Sequence, residues 1–174
     1  MISAHRSATG KIAHFIYHLL RPHVFTILQS TTFLNEVDFI QKFNYYTVQQ
    51  QQLHPTTLFA TIKITNFHAM VDHEKIVTEL GYFFMDYSTI GKYFPCTSII
   101  SDKPQYISID TIQELIRLFL KNNVFYFDEK IYSFTKGGPN SLLLCELLSN
   151  IYVFVWQKKI FGTDPRFRTE FCGR

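Results

Sequence analysis

The C-terminal part of the chain, from residue 124 to residue 155, constrains the fold most. Two short aromatic segments of alternating character, residues 124–127 and 131–134, are separated by Asp-Glu-Lys, which predicts a β-hairpin. The glycine-rich turn of residues 136–139 follows, and apolar residues then recur at helical spacing through Val155. A hairpin that leads through a turn into a long helix predicts a mixed α+β domain.

The first third of the chain carries two helical patterns. From residue 11 to residue 20 the apolar side chains fall on one helical face, and Pro22 closes this predicted helix. A second helix is predicted over residues 35–43, with Asn35 as its N-cap. The polar run of residues 47–52 then breaks the periodicity. It is typical of a loop or a fraying helix end.

Residues 58–66 alternate between apolar and polar side chains, which predicts a half-buried strand. Ala60, Ile62 and Ile64 form one face of this strand, so Lys63 points to the opposite face. We expect the strand to lie beside the predicted hairpin or its neighbours, with Lys63 directed into an open groove.

The middle of the chain contains two further predicted helices. Asp72 is a candidate N-cap for the first, and Asp110 with Gln113 forms a capping-box pattern at the start of the second. Between them, residues 86–106 show no steady period and indicate an irregular connection. The predicted order α, α, β, α, α, ββ, α suits a mixed α+β domain better than a regular βαβ array.

Composition excludes several classes of protein. Hydrophobic residues make up 47% of the 174 residues and aromatic residues 17%, which is too apolar for a disordered chain. The formal net charge of +3 permits a polyanionic partner but lacks the strong basic bias of a dedicated nucleic-acid binder. Cys96, Cys145 and Cys172 show no paired spacing, which argues against a disulfide framework or a zinc knuckle.

The sequence also bears on location. The longest apolar stretches, such as residues 115–120 and 151–156, are far shorter than the roughly 20 residues that span a bilayer. The first residues after Met1 do not form a secretory signal. We therefore expect no membrane partner and an intracellular protein, nuclear or cytoplasmic.

Residues 15–22, 32–40 and 57–68, together with residues 131–138 and 147–152, carry motif-like patterns. In their order along the chain these segments resemble motifs of reverse transcriptases, especially those of Penelope-like and related eukaryotic retroelements. Residues 15–22, Phe-Ile-Tyr-His-Leu-Leu-Arg-Pro, are similar to the family helix that ends in Leu-Leu-Arg-Pro, and residues 32–40 are similar to the segment that follows it. Residues 57–68, Thr-Leu-Phe-Ala-Thr-Ile-Lys-Ile-Thr-Asn-Phe-His, resemble the first catalytic strand, usually Thr-Ile-Asp-x-Thr-Asn-Leu-Tyr.

The C-terminal segments carry the strongest part of this resemblance. Residues 131–138, Ile-Tyr-Ser-Phe-Thr-Lys-Gly-Gly, and residues 147–152, Leu-Leu-Ser-Asn-Ile-Tyr, are similar to the family's second motif, in which a glycine turn leads into a helix. Residues 171–174, Phe-Cys-Gly-Arg, resemble the approach to the Tyr-x-Asp-Asp hairpin, which this chain does not contain.

The resemblance implies a single partial domain of an RNA-directed DNA polymerase. Its fingers-like helical part would cover about residues 1–56 and its palm-like part about residues 57–174. It further implies RNA or DNA as partner and Mg²⁺ as the metal of the parent family. Phe67, His68, Gly137 and Gly138 would then lie near the nucleotide.

The same resemblance predicts that this chain is inactive. Nucleotidyl transfer by two divalent ions needs aspartates on adjacent palm strands, yet Lys63 occupies the position of the first catalytic aspartate. A cation there repels a divalent ion. We expect no intact catalytic residue and no metal site. The alternative is that Lys63 is an ordinary surface lysine on a strand, which the flanking motif disfavours.

Two alternatives remain open at this stage. The chain could be a non-catalytic nucleic-acid-binding or interaction module that contacts phosphates through its basic C-terminal end, although a solvated face explains those charges equally well. His14 and His18 lie one helical turn apart and could ligate a metal, but they lack a third ligand and fit an interface better. The basic residues in question are Lys158, Lys159, Arg166, Arg168 and Arg174.

Overall fold

The fold is known from a computed structural model, which describes residues 8–49, 53–65, 67–88, 91–96, 105–139, 142–162, 171 and 173. Six α-helices, two short helical turns and two β-hairpins follow one another along these ranges. In chain order they are α1 Ala8–Leu28, a 3₁₀ turn Gln29–Thr31, α2 Glu36–Asn44, a π-helical turn Tyr45–Gln49, α3 Phe67–Met70, α4 His73–Tyr87, β1 Tyr93–Cys96, β2 Gln105–Ser108, α5 Ile109–Lys121, β3 Val124–Phe127, β4 Lys130–Ser133 and α6 Leu143–Phe161. The predicted mixed α+β class is confirmed.

Four helices form the centre of the molecule. Helices α1 and α4 each pack against both α5 and α6, and their apolar stripes meet in one core. Fully buried side chains from all four helices include Ile16, Leu20, Phe83, Phe84, Ile116, Phe119, Leu148 and Ile151. Nowhere in the ranges given above does a helix combine the length and the apolar character needed to cross a bilayer.

Helix α1 continues through Pro22, so its predicted end at that residue is wrong. Proline has no N–H, and the carbonyl of His18 therefore loses its usual helical partner. Beyond the proline, Val24 and Leu28 stay buried in the core. Burying two such side chains stabilises by about 1.5–3 kcal/mol each, which outweighs the roughly 3 kcal/mol that an interior proline costs.

Helix α2 begins where the sequence predicts. The side chain of Asn35 accepts a hydrogen bond of 2.9 Å from the backbone N–H of Asp38, which confirms it as the N-cap. Residues 47–49 continue α2 as part of the π-helical turn, so the interpretation as a helix end holds for them. Residues 50–52 lie outside the described ranges.

The strand predicted over residues 58–66 does not form in residues 58–65, and Asn66 lies outside the described ranges. This segment has no regular secondary structure, and its apolar side chains are exposed, Leu58 at 92% and Ile62 at 68%. The alternating pattern requires a neighbouring strand to receive hydrogen bonds and an element to cover the apolar face. The segment has neither among the described residues, so Lys63 does not project from a sheet into a groove.

A hairpin replaces the irregular connection predicted for residues 86–106. Strands β1 and β2 pair antiparallel, with Phe94 opposite Ile107. Phe94 is fully buried, and its ring meets that of Phe84 edge-on at 4.8 Å between centroids. Pro95 is tolerated because β1 belongs to a two-stranded sheet and has a free edge. The prediction is therefore wrong for β1 and β2.

The N-cap of helix α5 lies two residues before the predicted one. The N-cap is Ser108, whose hydroxyl accepts from the backbone N–H of Thr111 at 3.2 Å. Asp110 lies inside the first helical turn, where an acidic side chain favours the helix dipole. The capping-box prediction for Asp110 and Gln113 is thus wrong. Gln113 instead donates from its side chain to the carbonyl of Val77 on α4 at 2.8 Å.

The second hairpin confirms the prediction made for this segment. Val124 pairs with Ser133, and Phe127 pairs with Lys130, so β4 begins one residue earlier than expected. The two turn residues, Asp128 and Glu129, have φ values of +48° and +59°. Positive φ at both central residues is the type I′ pattern that matches the twist of a two-residue hairpin.

Candidate functional site

The glycine turn predicted to lie near a nucleotide is fixed to the start of α4. The backbone N–H of Gly137 donates to the carbonyl of Val71 at 2.7 Å. Nε2 of His73 donates to the carbonyl of Gly137, also at 2.7 Å. Gly137 has a φ of +62°, a conformation that favours glycine. The turn and the residues just before α4 therefore form one hydrogen-bonded unit.

Gly138 lets the turn approach α6 closely. A Cβ atom at Gly138 would lie 2.8 Å from Sγ of Cys145, which is closer than such atoms pack. Burial raises the pKa of the Cys145 thiol to about 12, because a thiolate there would lose its hydration. Cys145 therefore stays protonated and acts as a small packing group, and so does not serve as a nucleophile.

Helix α3 carries the other two residues predicted to lie near the nucleotide. The ring of Phe67 packs against Tyr152 on α6, with 5.7 Å between ring centroids. Nζ of Lys75 lies 5.5 Å from the centroid of the same Tyr152 ring, which is within range of a cation–π contact. The backbone of His68 belongs to α3, and its side chain lies outside the described part of the structure.

Phe67 thus contacts Tyr152 in the middle of α6, whereas Gly138 lies against Cys145 in the first turn of α6. Lys63 is not held with them by any contact in the described ranges. It is exposed, in the irregular segment before α3. The resembling segment of residues 131–138 is therefore hydrogen-bonded to Val71 and His73, which lie beyond the resembling segment of residues 57–68.

The described acidic residues do not fit a two-metal centre. Across the described ranges, no group of three or more His, Cys, Asp and Glu side chains is arranged to hold a metal ion. The two acidic residues that follow Lys63 most closely have other contacts. Asp72 accepts from the backbone N–H of Lys75 at 3.0 Å, and Glu74 pairs with Nε of Arg117 at 2.8 Å.

Two of the five basic residues at the C-terminal end have contacts within the described ranges. Lys159 forms an ion pair of 2.5 Å with Glu79 on α4, and Glu79 is nearly buried. Nζ of Lys158 lies 5.4 Å from the ring centroid of Phe154. Arg166, Arg168 and Arg174 lie outside the described ranges, as does Cys172.

An exposed face of α1 carries a feature that the sequence analysis missed. Side chains at a repeating spacing of three and four residues are cationic or aromatic, and all are exposed: Lys11, His14, His18, Arg21 and Phe25. We call these five residues the α1 stripe. Helix α1 contains no Asp or Glu. The spacing of His14 and His18 was visible in the sequence, but the pattern was not extended there to Lys11, Arg21 and Phe25.

Arg21 is the best-placed cation of the α1 stripe. Its guanidinium carbon lies 5.2 Å from the ring centroid of Phe25 and 5.9 Å from that of Tyr17. Beside Phe25, a cleft of about 300 Å³ opens between the end of α1 and α6, with Thr32 and Asn150 among its polar lining residues. A flat cation next to aromatic rings and a cleft suits contacts with phosphates and unstacked bases.

Comparisons with protein-family models, with curated proteins and with solved structures found no match to this chain.

Proposed function

We propose that this chain is a catalytically inactive relative of the reverse-transcriptase fingers and palm, and that it contacts RNA or DNA without extending it. One observation carries the proposal. Gly137, in the resembling segment of residues 131–138, hydrogen-bonds with Val71 and His73, which follow the resembling segment of residues 57–68 by three and five residues. In a polymerase of this class, both motifs would have to border the same nucleotide.

The proposed inactivity is supported by the chemistry of the described residues. A two-metal centre needs clustered carboxylates, whereas the first catalytic position carries the exposed Lys63. Asp72 and Glu74 are committed to a helix cap and an ion pair. Replacing Lys63 by aspartate would supply one carboxylate and no second ligand set.

Nucleic-acid contact is favoured by the α1 stripe. Lys11 and Arg21 are exposed on a helix without acidic residues, so no carboxylate on α1 opposes a phosphate there. Phe25 offers a ring face beside the 300 Å³ cleft, and stacking on an aromatic side chain is tolerant of base identity. These features support binding to a single strand with little sequence preference.

The binding proposal is tested by fluorescence anisotropy with a labelled single-stranded RNA at increasing salt. The slope of log K against log salt is negative, and each lost phosphate contact should reduce its magnitude by about 0.7. The Lys11→Gln/Arg21→Gln double variant should therefore reduce the magnitude of the slope by about 1.4. The matched control is Lys121→Gln/Lys130→Gln, which removes two exposed lysines elsewhere. An unchanged slope in the first variant, or an equal loss in the control, would reject the α1 stripe as the contact surface.

The catalytic proposal is tested by primer extension on an RNA template with Mg²⁺ or Mn²⁺. We expect no extension by the wild-type chain or by Lys63→Asp, because neither provides the carboxylates for two metal ions. A heat-treated sample sets the background. Metal-dependent extension by the wild-type chain above that background would refute the proposed inactivity.

A further inference from the structure

Two histidines on the exposed face of α1 lie next to each other. His14 and His18 are separated by one helical turn, and their ring centroids are 4.2 Å apart with an interplanar angle of 36°. Both side chains are exposed. Within the described ranges, neither imidazole has a hydrogen-bond partner, and His18 has one further ring contact, with Tyr17 at 5.3 Å.

This spacing is suited to chelation. Two imidazole nitrogens bound side by side to one metal ion at about 2.0–2.1 Å each are about 3 Å apart. Rings whose centroids are already 4.2 Å apart reach that separation by side-chain rotation, without a change in the helix. Neutral imidazole is a good ligand for zinc, copper and nickel, and water can complete the coordination of an exposed ion.

We propose that His14 and His18 form a two-imidazole binding site for a divalent transition-metal ion of the copper, nickel and zinc group. The site needs neither the family resemblance nor a nucleic acid. Mg²⁺ is excluded as its ligand, because that ion prefers oxygen ligands and binds imidazole poorly.

The position of the site gives metal binding a structural effect. Pro22 has no N–H to donate to the carbonyl of His18, so α1 lacks one backbone hydrogen bond at this turn. A metal ion bound by His14 and His18 would link the two ends of the helical turn just before this missing hydrogen bond. Because the unfolded chain does not hold the two rings together, binding favours the folded state.

The first experiment is isothermal titration of the full chain with Ni²⁺ near neutral pH, followed by Cu²⁺, Zn²⁺ and Mg²⁺. We expect one strong site for Cu²⁺, weaker binding of Ni²⁺ and Zn²⁺, and none of Mg²⁺. His14→Gln and His18→Gln should each weaken Ni²⁺ binding by about tenfold or more, because one of two chelating bonds is lost. Glutamine is a good helix former, so α1 should be retained, which circular dichroism checks.

The matched controls are His5→Gln and His54→Gln, which remove histidines outside the pair. Binding that is unchanged in both pair variants, or that falls equally in a control, would overturn the assignment. A second measurement needs no variant. Electron paramagnetic resonance of the wild-type chain with one equivalent of Cu²⁺ should show two coordinated imidazole nitrogens, and a spectrum with one, or with three or more, would also overturn it.

Discussion

Residues 58–65 and helix α6 are both rich in apolar side chains, but their surroundings differ. Leu58 and Phe59 are exposed at 92% and 72%, whereas Leu148 and Ile151 are exposed at 1% each. Helix α6 lies between α1 and α4, which cover it. The irregular segment has no strand beside it in the described part of the fold. An apolar pattern is therefore buried only where another element supplies a matching surface.

The difference in burial between the two regions is tested most strongly by replacing one leucine in each region with alanine. Leu148→Ala should lower the free energy of unfolding by about 2–5 kcal/mol, because it removes transfer energy and leaves a cavity. Leu58→Ala should change it by less than about 0.5 kcal/mol, since the side chain is already in water. Urea denaturation measures both. A loss at Leu58 as large as at Leu148 would mean that the 58–65 segment is buried in solution.

A second test addresses the close approach of the glycine turn to α6. Gly138→Ala should lower stability by about 1–3 kcal/mol, because its methyl group would meet Sγ of Cys145 in a packed interior. Cys145→Ala in the same chain removes that sulfur and should restore part of the loss. Gly91→Ala is the control for strain without a clash, since it has positive φ but open space around it.

The double variant shows whether the effects of Gly138→Ala and Cys145→Ala on stability are coupled. If Gly138→Ala and Cys145→Ala destabilise additively, the two positions do not contact each other and the turn does not pack on α6 as described. A double variant more stable than Gly138→Ala alone supports the contact. The burial of helix α6 would then depend on the glycine turn as well as on the neighbouring helices.

Local signals in the sequence predicted much of this fold. Asn35 and Asp72 cap their helices as expected, and the β3–β4 hairpin forms where the alternating segments indicate. Each of these features depends on residues only a few positions apart. The continuation of α1 through Pro22 and the pairing of β1 with β2 depend instead on burial against distant elements, which a local pattern does not contain.

The candidate site likewise contains features that the local sequence predicts and contacts that it does not predict. The glycine turn was located from its residues, because glycine and proline mark turns directly. Its hydrogen bonds to Val71 and His73 join positions more than sixty residues apart, and no local signal predicts them. Lys63 was placed on a strand by its alternating neighbours, and the absence of a partner strand in the described ranges made that placement wrong.

A third test separates the observed cap of α5 from the predicted one. Ser108→Ala should lower stability by about 0.5–2 kcal/mol, because the N–H of Thr111 loses its acceptor. Asp110→Ala should cost about 0.3–1 kcal/mol, the value of an acidic side chain near a helix N-terminus. Thermal or urea unfolding gives both numbers. The reverse ranking would show that Asp110 is the cap and that α5 starts later.

The smallest expected effect concerns α2, which has no buried residue and is held by polar contacts together with the ring contacts of Phe39 and Phe43. Nζ of Lys42 donates to the carbonyl of Thr32 at 2.8 Å and to Oδ2 of Asp38 at 2.9 Å. Asp38 also accepts from the backbone N–H of Leu34 at 2.9 Å. The hydrogen bond from Lys42, followed by that from Leu34, lowers the pKa of Asp38 below its ordinary 3.8.

The sign of the pH effect follows from that shift. A folded pKa below the unfolded one means that the ionised carboxylate stabilises the folded state above the ordinary value of 3.8. This stabilisation is lost as the pH falls through the folded pKa. Asp38→Asn removes it at every pH. The stability difference between wild type and Asp38→Asn should therefore be present at neutral pH and shrink as the solution is acidified.

Urea midpoints measured across the acidic range give this difference, and Asp86→Asn, which changes an exposed carboxylate at the end of α4, is the control. A difference that stays constant with pH would assign the effect of Asp38 to its shape and neutral hydrogen bonding, and the charge would then have no part in holding α2.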